Sequence, residues 1–386
     1  MIDGFADPRF RAVADLFADN FEALDEVGAS LCLSLEGETV LDMWGGHRDA
    51  ARTQTWDKDT ISVVFSNTKA ATALCAHMLV DRGLLDLNER VSTYWPEFAQ
   101  NGKQDATVLM LLNHTVGLPA LRAPVKPGGF ADWDYMVERF AAEEPFWEPG
   151  SQNGYHMISF GWLVGEVIRR VSGKSLGQFF ADEVAGPLGL SMYIGLPPEQ
   201  DHRLAPVIFY KMQPGELPSE FMQTLLKNPD SIQALSMLNL GGLDYNTETA
   251  HRAEIGGAGG IGNARALCGM FTPLANGGGD LLSGARIDAM RSLSSANSHD
   301  ANLMIPTRFA QGFMLNMDNG PASASQGGSF VIGDGAFGHV GAGGSTGFAD
   351  PDKRLAFSYT MNRMGNGLLM NERGQRLIDA TYAALS

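Results

Sequence analysis

The sequence predicts an α/β fold of the α+β kind: an antiparallel sheet flanked by helices, with a mainly helical part inserted mid-chain. Three observations predict it. Apolar residues alternate at period two between about residues 29 and 44, and again beyond about residue 309. Between these stretches the apolar spacing is helical, broken by Gly and Pro. At 386 residues the chain is too long for one simple core. Residues 1–88 and 262–386 are therefore expected to form one α/β domain built from both termini, and 89–261 an inserted helical domain.

Taken in order, Asp7-Pro8 reads as a helix cap followed by proline in the first turn. Phe10, Val13, Phe17 and Phe21 then mark one face of an amphipathic helix. Leu31, Leu33 and Leu35 alternate up to a Glu36-Gly37 turn, and Val40 to Trp44 returns, which is a β-hairpin. Helical spacing covers segments near 67–82, 105–113, 131–141, 155–172, 175–184 and 264–276. Strand character returns with an apolar, extended run from Gly312 to Met317 and a short one from Phe337 to Val340. Gly347 to Asn362 reads as two strands about an Asp350-Pro351-Asp352-Lys353 turn, and a helix closes the chain from about Glu372 to Leu385. A site between two such bodies draws its side chains from distant parts of the chain.

Composition narrows the function. A formal net charge of -16 argues against nucleic acid, because little is available to neutralise a row of phosphates. The three cysteines, Cys32, Cys75 and Cys268, are odd in number and widely spaced, so neither a disulfide framework nor a metal pair is expected. The acidic start, Met1 to Asp7, lacks the basic and apolar parts of a signal peptide, and no apolar run reaches the length of a membrane span. A soluble, cytoplasmic protein without cofactor or membrane partner is expected, its oligomeric state left open.

Two serines compete as nucleophile. Gly343-Gly344-Ser345-Thr346-Gly347 is a literal GxSxG, but an elbow of that type needs a helix after it and a histidine later in the chain. Strand and turn follow Ser345, and the last of the eight histidines is His339. Ser66 stands three residues before Lys69 at the start of a predicted helix, where both side chains share a face. The first helical turn offers unpaired N–H groups to an oxyanion, and a buried lysine loses its proton readily enough to act as a base. The spacing alone is weak, since 24 serines and 8 lysines yield one SxxK by chance about every second time.

Further segments add to it. Ser66-Asn67-Thr68-Lys69, Glu148-Pro149-Gly150 leading to Tyr155, and Phe337-Gly338-His339-Val340-Gly341-Ala342 occur in that order. Between them lies Leu111-Leu112-Asn113-His114-Thr115-Val116-Gly117-Leu118-Pro119, and after them Gly262-Asn263-Ala264-Arg265. Together these segments resemble the serine β-lactamase and penicillin-binding fold, in its class C-like branch with the family VIII carboxylesterases. The resemblance spans about residues 20 to 385. It implies Ser66 as nucleophile, Lys69 and Tyr155 as the groups that move its proton, and backbone N–H groups of Ser66 and Ala342 as oxyanion donors. It also places Gly341, His339, His156 and Met157 around the substrate, and implies that Lys69 supplies the positive charge that a tyrosinate at Tyr155 needs.

Two departures bear on substrate. Where the family's lactam-binding members carry asparagine two residues after the tyrosine, this chain has Met157; where their third motif begins with lysine, it has His339. The pocket is thereby less cationic, although acid would charge His339. The expectation is a serine hydrolase that cleaves carboxylic esters of short to medium acyl chain through an acyl-Ser66 intermediate. Alternatives are an acyltransferase, a β-lactamase or D-aminopeptidase of the same fold, and a catalytically silent binding or sensor module.

Overall fold

The computed structural model describes residues 2–320 and 327–386. Its strands are β1 (Ile2–Ala6), β2 (Gly28–Leu35), β3 (Glu38–Gly46), β4 (Ser62–Phe65), β5 (Tyr193–Ile194), β6 (Gly260–Gly262), β7 (Ser295–Asn297), β8 (Thr307–Phe309), β9 (Met314–Leu315), β10 (Phe337–Val340), β11 (Thr346–Asp350) and β12 (Leu355–Met361). Nine of them form one sheet in the order β1-β3-β2-β12-β11-β10-β9-β8-β7, every pairing antiparallel. The strands from both ends of the chain meet at β2 and β12, which are paired from Ala29↔Met361 to Leu35↔Leu355.

Alternation decides what covers each face of this sheet. Along β12, Leu355, Phe357, Tyr359 and Met361 point to one side, into a cluster with Phe10, Val13, Phe17, Leu377 and Ile378 of the two terminal helices, Arg11–Ala23 and Glu372–Ala383, and the turn before the first. Small residues, Ala356, Ser358 and Thr360, point to the other side, where the helix Ala264–Ala275 packs close against β11 and β12. All three cysteines are buried and unpaired.

The Ser66 segment is held by a second, three-stranded sheet in the order β4-β6-β5. From β4 the chain enters the helix Asn67–Asp81, whose residues are buried from Asn67 through Leu79. A helix buried all round must be approached closely from several sides. The helix Phe160–Ser172 packs on it, and a Cβ on Gly161 would lie 2.3 Å from the nitrogen of Gly257 in the loop before β6, so helix backbone meets loop backbone there.

Several expectations shift. The helix expected from 155 begins at Phe160, because the backbone N–H groups of Tyr155 and His156 bond to Asp300 and to the His114 ring. The run from Gly312 to Met317 is strand only at Met314–Leu315, and strands already occur at Ser295–Asn297 and Thr307–Phe309. The edge strand β1 has a mostly exposed pattern that alternation does not reveal.

A buried ion pair joins the ends of the chain. Arg373 Nη1 lies 2.8 Å from Glu26 Oε1, the Tyr359 hydroxyl donates to the other Glu26 oxygen, and Arg373 Nη2 donates to the Arg363 carbonyl at 2.8 Å. Burial pushes the Glu26 carboxyl above its ordinary value, against the pull of Arg373. Arg373→Met leaves that charge unpaired and is expected to destabilise the fold by about 3 kcal/mol or more at pH 7.5. Without the guanidinium Glu26 takes a proton more easily, so the loss shrinks at pH 5. Urea unfolding at both pH values measures this; equal losses would contradict it.

Candidate active site

Ser66 sits where β4 turns into its helix. The turn is sharp: Phe65 has φ of 48°, in the left-handed region that phenylalanine rarely enters. Thr68 holds it, its hydroxyl donating to the Phe65 carbonyl at 2.5 Å and accepting from the Gly260 N–H of β6 at 2.8 Å. One turn on, Lys69 Nζ comes 3.0 Å from Ser66 Oγ. The amine is fully buried, and burial holds its pKa well below the ordinary lysine value. It donates to the carbonyls of Met157 at 2.5 Å and Gly257 at 2.6 Å. A neutral amine has two hydrogens and one lone pair. With two positions of Nζ on carbonyls, the third faces Ser66 Oγ, the geometry from which an uncharged amine takes a proton.

Tyr155 closes the group from another side. Its ring lies 4.7 Å from Lys69 Nζ, stacks on Phe309 at 5.8 Å and meets His114 edge-on at 4.9 Å. The hydroxyl is buried without a well-formed hydrogen bond. Burial pushes the phenol far up, and the Ser66 side chain offsets this only in part. Burial therefore favours the uncharged form of both the amine and the phenol. The same burial that raises the phenol opposes the positive charge on Lys69 that a tyrosinate would need.

The turn after β10 is sewn onto the Ser66 segment. Ser345 Oγ donates to the Val64 carbonyl at 3.0 Å and accepts from Asn67 Nδ2 at 3.1 Å. A Cβ on Gly341 would lie 2.4 Å from the Val64 oxygen, so only glycine lets the two segments approach this closely. Ser345 is fully buried, and its GxSxG is a fastening. Among the described residues, the N–H groups of Ser66 and Ala342 have no hydrogen-bond acceptor.

The histidines require two corrections. His156 is fully buried, with Nδ1 against the Gly154 carbonyl at 2.7 Å and Nε2 accepting from the Leu118 N–H at 3.0 Å. Both ring nitrogens are spent on backbone, so it braces the loops and does not line the pocket. His339 has Nδ1 against the Val340 carbonyl at 2.8 Å, which fixes the proton there and leaves Nε2 as a buried lone pair with no partner among the described residues. Burial lowers its pKa to about 3, so mild acid does not charge it as expected. Met157 is half-buried and packs against Phe221 and Leu225 of the helix Glu220–Lys227, with Sδ 3.6 Å from Ser236 of the helix Ile232–Leu238. Those two helices went unnoticed, although Ser219 and Ser231 cap them in the ordinary way. Asp300 has no mark in the sequence, and the fastening roles of Asn67 and Thr68, within a segment the sequence singles out, show only in their partners in space.

The model of a family described as Beta-lactamase matches residues 17–381. The chain is 34% identical to the Esterase/beta-lactamase LipL of Mycobacterium tuberculosis (strain ATCC 25618 / H37Rv), over 96% of this chain and 85% of that protein. The crystal structure of a family VIII carboxylesterase superposes with a TM-score of 0.88 at 39% identity, covering 100% of both chains. A penicillin-binding protein homologue from Caulobacter crescentus gives a TM-score of 0.87 at 33% identity, again covering 100% of both.

With Lys69 as the expected base, Ser66 is expected to lose reactivity as pH falls through the lowered lysine pKa. Plotted against pH, the rate of phosphonate labelling is expected to rise with a midpoint well below the ordinary lysine value, about 10.4. His339→Gln should leave that midpoint in place between pH 5 and 9. A midpoint near 10, or one that moves with His339, would contradict the assignment.

Proposed function

The chain belongs to the beta-lactamase family, and from that footing we propose that it is a carboxylesterase acting on neutral esters of short to medium acyl chain through an acyl-Ser66 intermediate. One observation carries the reading: Lys69 Nζ, buried and with two hydrogens held by carbonyls, lies 3.0 Å from Ser66 Oγ. Lys69 takes the Ser66 proton as Oγ attacks the ester carbonyl. The N–H groups of Ser66 and Ala342 hold the oxygen that becomes negative, each worth about 3 to 4 kcal/mol of barrier. Tyr155, protonated at rest, gives its proton to the departing alkoxide and recovers one from Lys69. Water then attacks the acyl group by the same path in reverse.

Substrate choice follows from charge. A carboxylate on the ligand needs a fixed cation in a closed pocket. His339 is neutral and presents a lone pair, and Met157 offers no amide to an acylamino side chain. Neutral esters lose nothing by these absences. The esterase names of the 34% relative and of the 39% identical structure support the same reading.

Ser66→Ala is expected to abolish ester turnover and phosphonate labelling, while Ser345→Ala still labels at Ser66. Lys69→Ala and Tyr155→Phe should each lower kcat at least about a hundredfold, and the double variant little further. Mass spectrometry of the labelled peptide decides the nucleophile; an adduct on Ser345 overturns it. For substrate, kcat/KM for p-nitrophenyl butyrate should exceed that for a chromogenic cephalosporin by at least about a thousandfold, some 4 kcal/mol. Comparable efficiencies would make the protein a lactamase instead.

A further inference from the structure

Tyr155 lies in no helix or strand, so regular structure does not fix its backbone. Its main-chain bonds run to the loop between β7 and β8. The Tyr155 N–H donates to the Asp300 carboxylate, 2.9 Å from Oδ1 and 3.2 Å from Oδ2. The Tyr155 carbonyl accepts from Asn302 Nδ2 at 2.7 Å. Both main-chain groups of the tyrosine are thus held by two residues nearly 150 positions away.

The carboxylate is heavily used. Besides Tyr155 it accepts from the N–H groups of Asn302 at 2.9 Å and Leu303 at 2.8 Å, from Asn153 Nδ2 at 3.2 Å and from the Thr307 hydroxyl at 3.1 Å. Asp300 is fully buried, and all these donors are neutral. Closing a turn does not require such a group, since a neutral Asn or Ser serves as well. Burying a carboxyl group without a cation is expensive and pushes its pKa up, an effect opposed here by donors from the strand, the loop and the tyrosine together.

We infer that Asp300, assisted by Asn302, is a positioning residue that sets the backbone of Tyr155 and thereby aims the phenol at Ser66. The inference rests on the proposed role of Tyr155. A phenol hangs at the end of two torsions, so a small backbone rotation moves its oxygen far, and a displacement of ~1 Å can lower a rate about a hundredfold.

Hydrolysis of p-nitrophenyl butyrate by the full chain tests it. Asp300→Ala and Asn302→Ala are each expected to lower kcat tenfold or more with KM within about twofold, and Asp300→Asn, which keeps an accepting oxygen, to recover most of the loss. Placed in Tyr155→Phe, Asp300→Ala should change kcat less than twofold, since the group it aims is gone. Full activity of folded Asp300→Ala, or a loss that multiplies with that of Tyr155→Phe, overturns the inference. Should Asp300→Ala not fold, Asn302→Ala decides by the same two comparisons, because it leaves the carboxylate in place. Full activity of Tyr155→Phe alone would instead overturn the reading of the tyrosine.

Discussion

The structure is organised around one nitrogen. A lysine ordinarily keeps its amine in water and buries only the stem; Lys69 buries the whole side chain, with two carbonyls and a serine hydroxyl as its polar company. To achieve that, the helix carrying it gives up an exposed face for nearly all its length. Gly161 and Gly257 meet without side chains so that the Gly257 carbonyl reaches the amine, and Tyr155 to Ser159 stay out of the helix so that the Met157 carbonyl does too. Each oddity in these segments serves the same contact.

The same burial makes the pocket electrically quiet. Burial disfavours charge on the rings of His114, His156 and His339, on the Tyr155 phenol and on the Lys69 amine alike. The acidic residues that give the chain its net charge of -16 lie mostly at the surface, where water screens them. Burial thus works against any standing charge beside Ser66.

Much of this was legible in the residues, for identifiable reasons. The hairpin of β2 and β3 and the strand pair β11 and β12 show because each buries one kind of side chain per face. The Ser66 to Lys69 contact shows because helical spacing alone brings such residues together. What escaped has no local cause. Asn67 is tied to Ser345 across 278 positions, and Tyr155 to Asp300 across 145. His156 looked like a pocket residue because its neighbours in sequence are; only Leu118 and Gly154 show that its nitrogens are occupied.

That the amine is held by main-chain oxygens separates two properties that proteins often entangle. The side chain at Met157 faces the helices Glu220–Lys227 and Ile232–Leu238, while its carbonyl holds Lys69. Exchange of that side chain alters its packing against these helices and leaves the carbonyl that holds the amine in place. The residue at this position can therefore vary, by natural drift or by design, without rebuilding the surroundings of the amine.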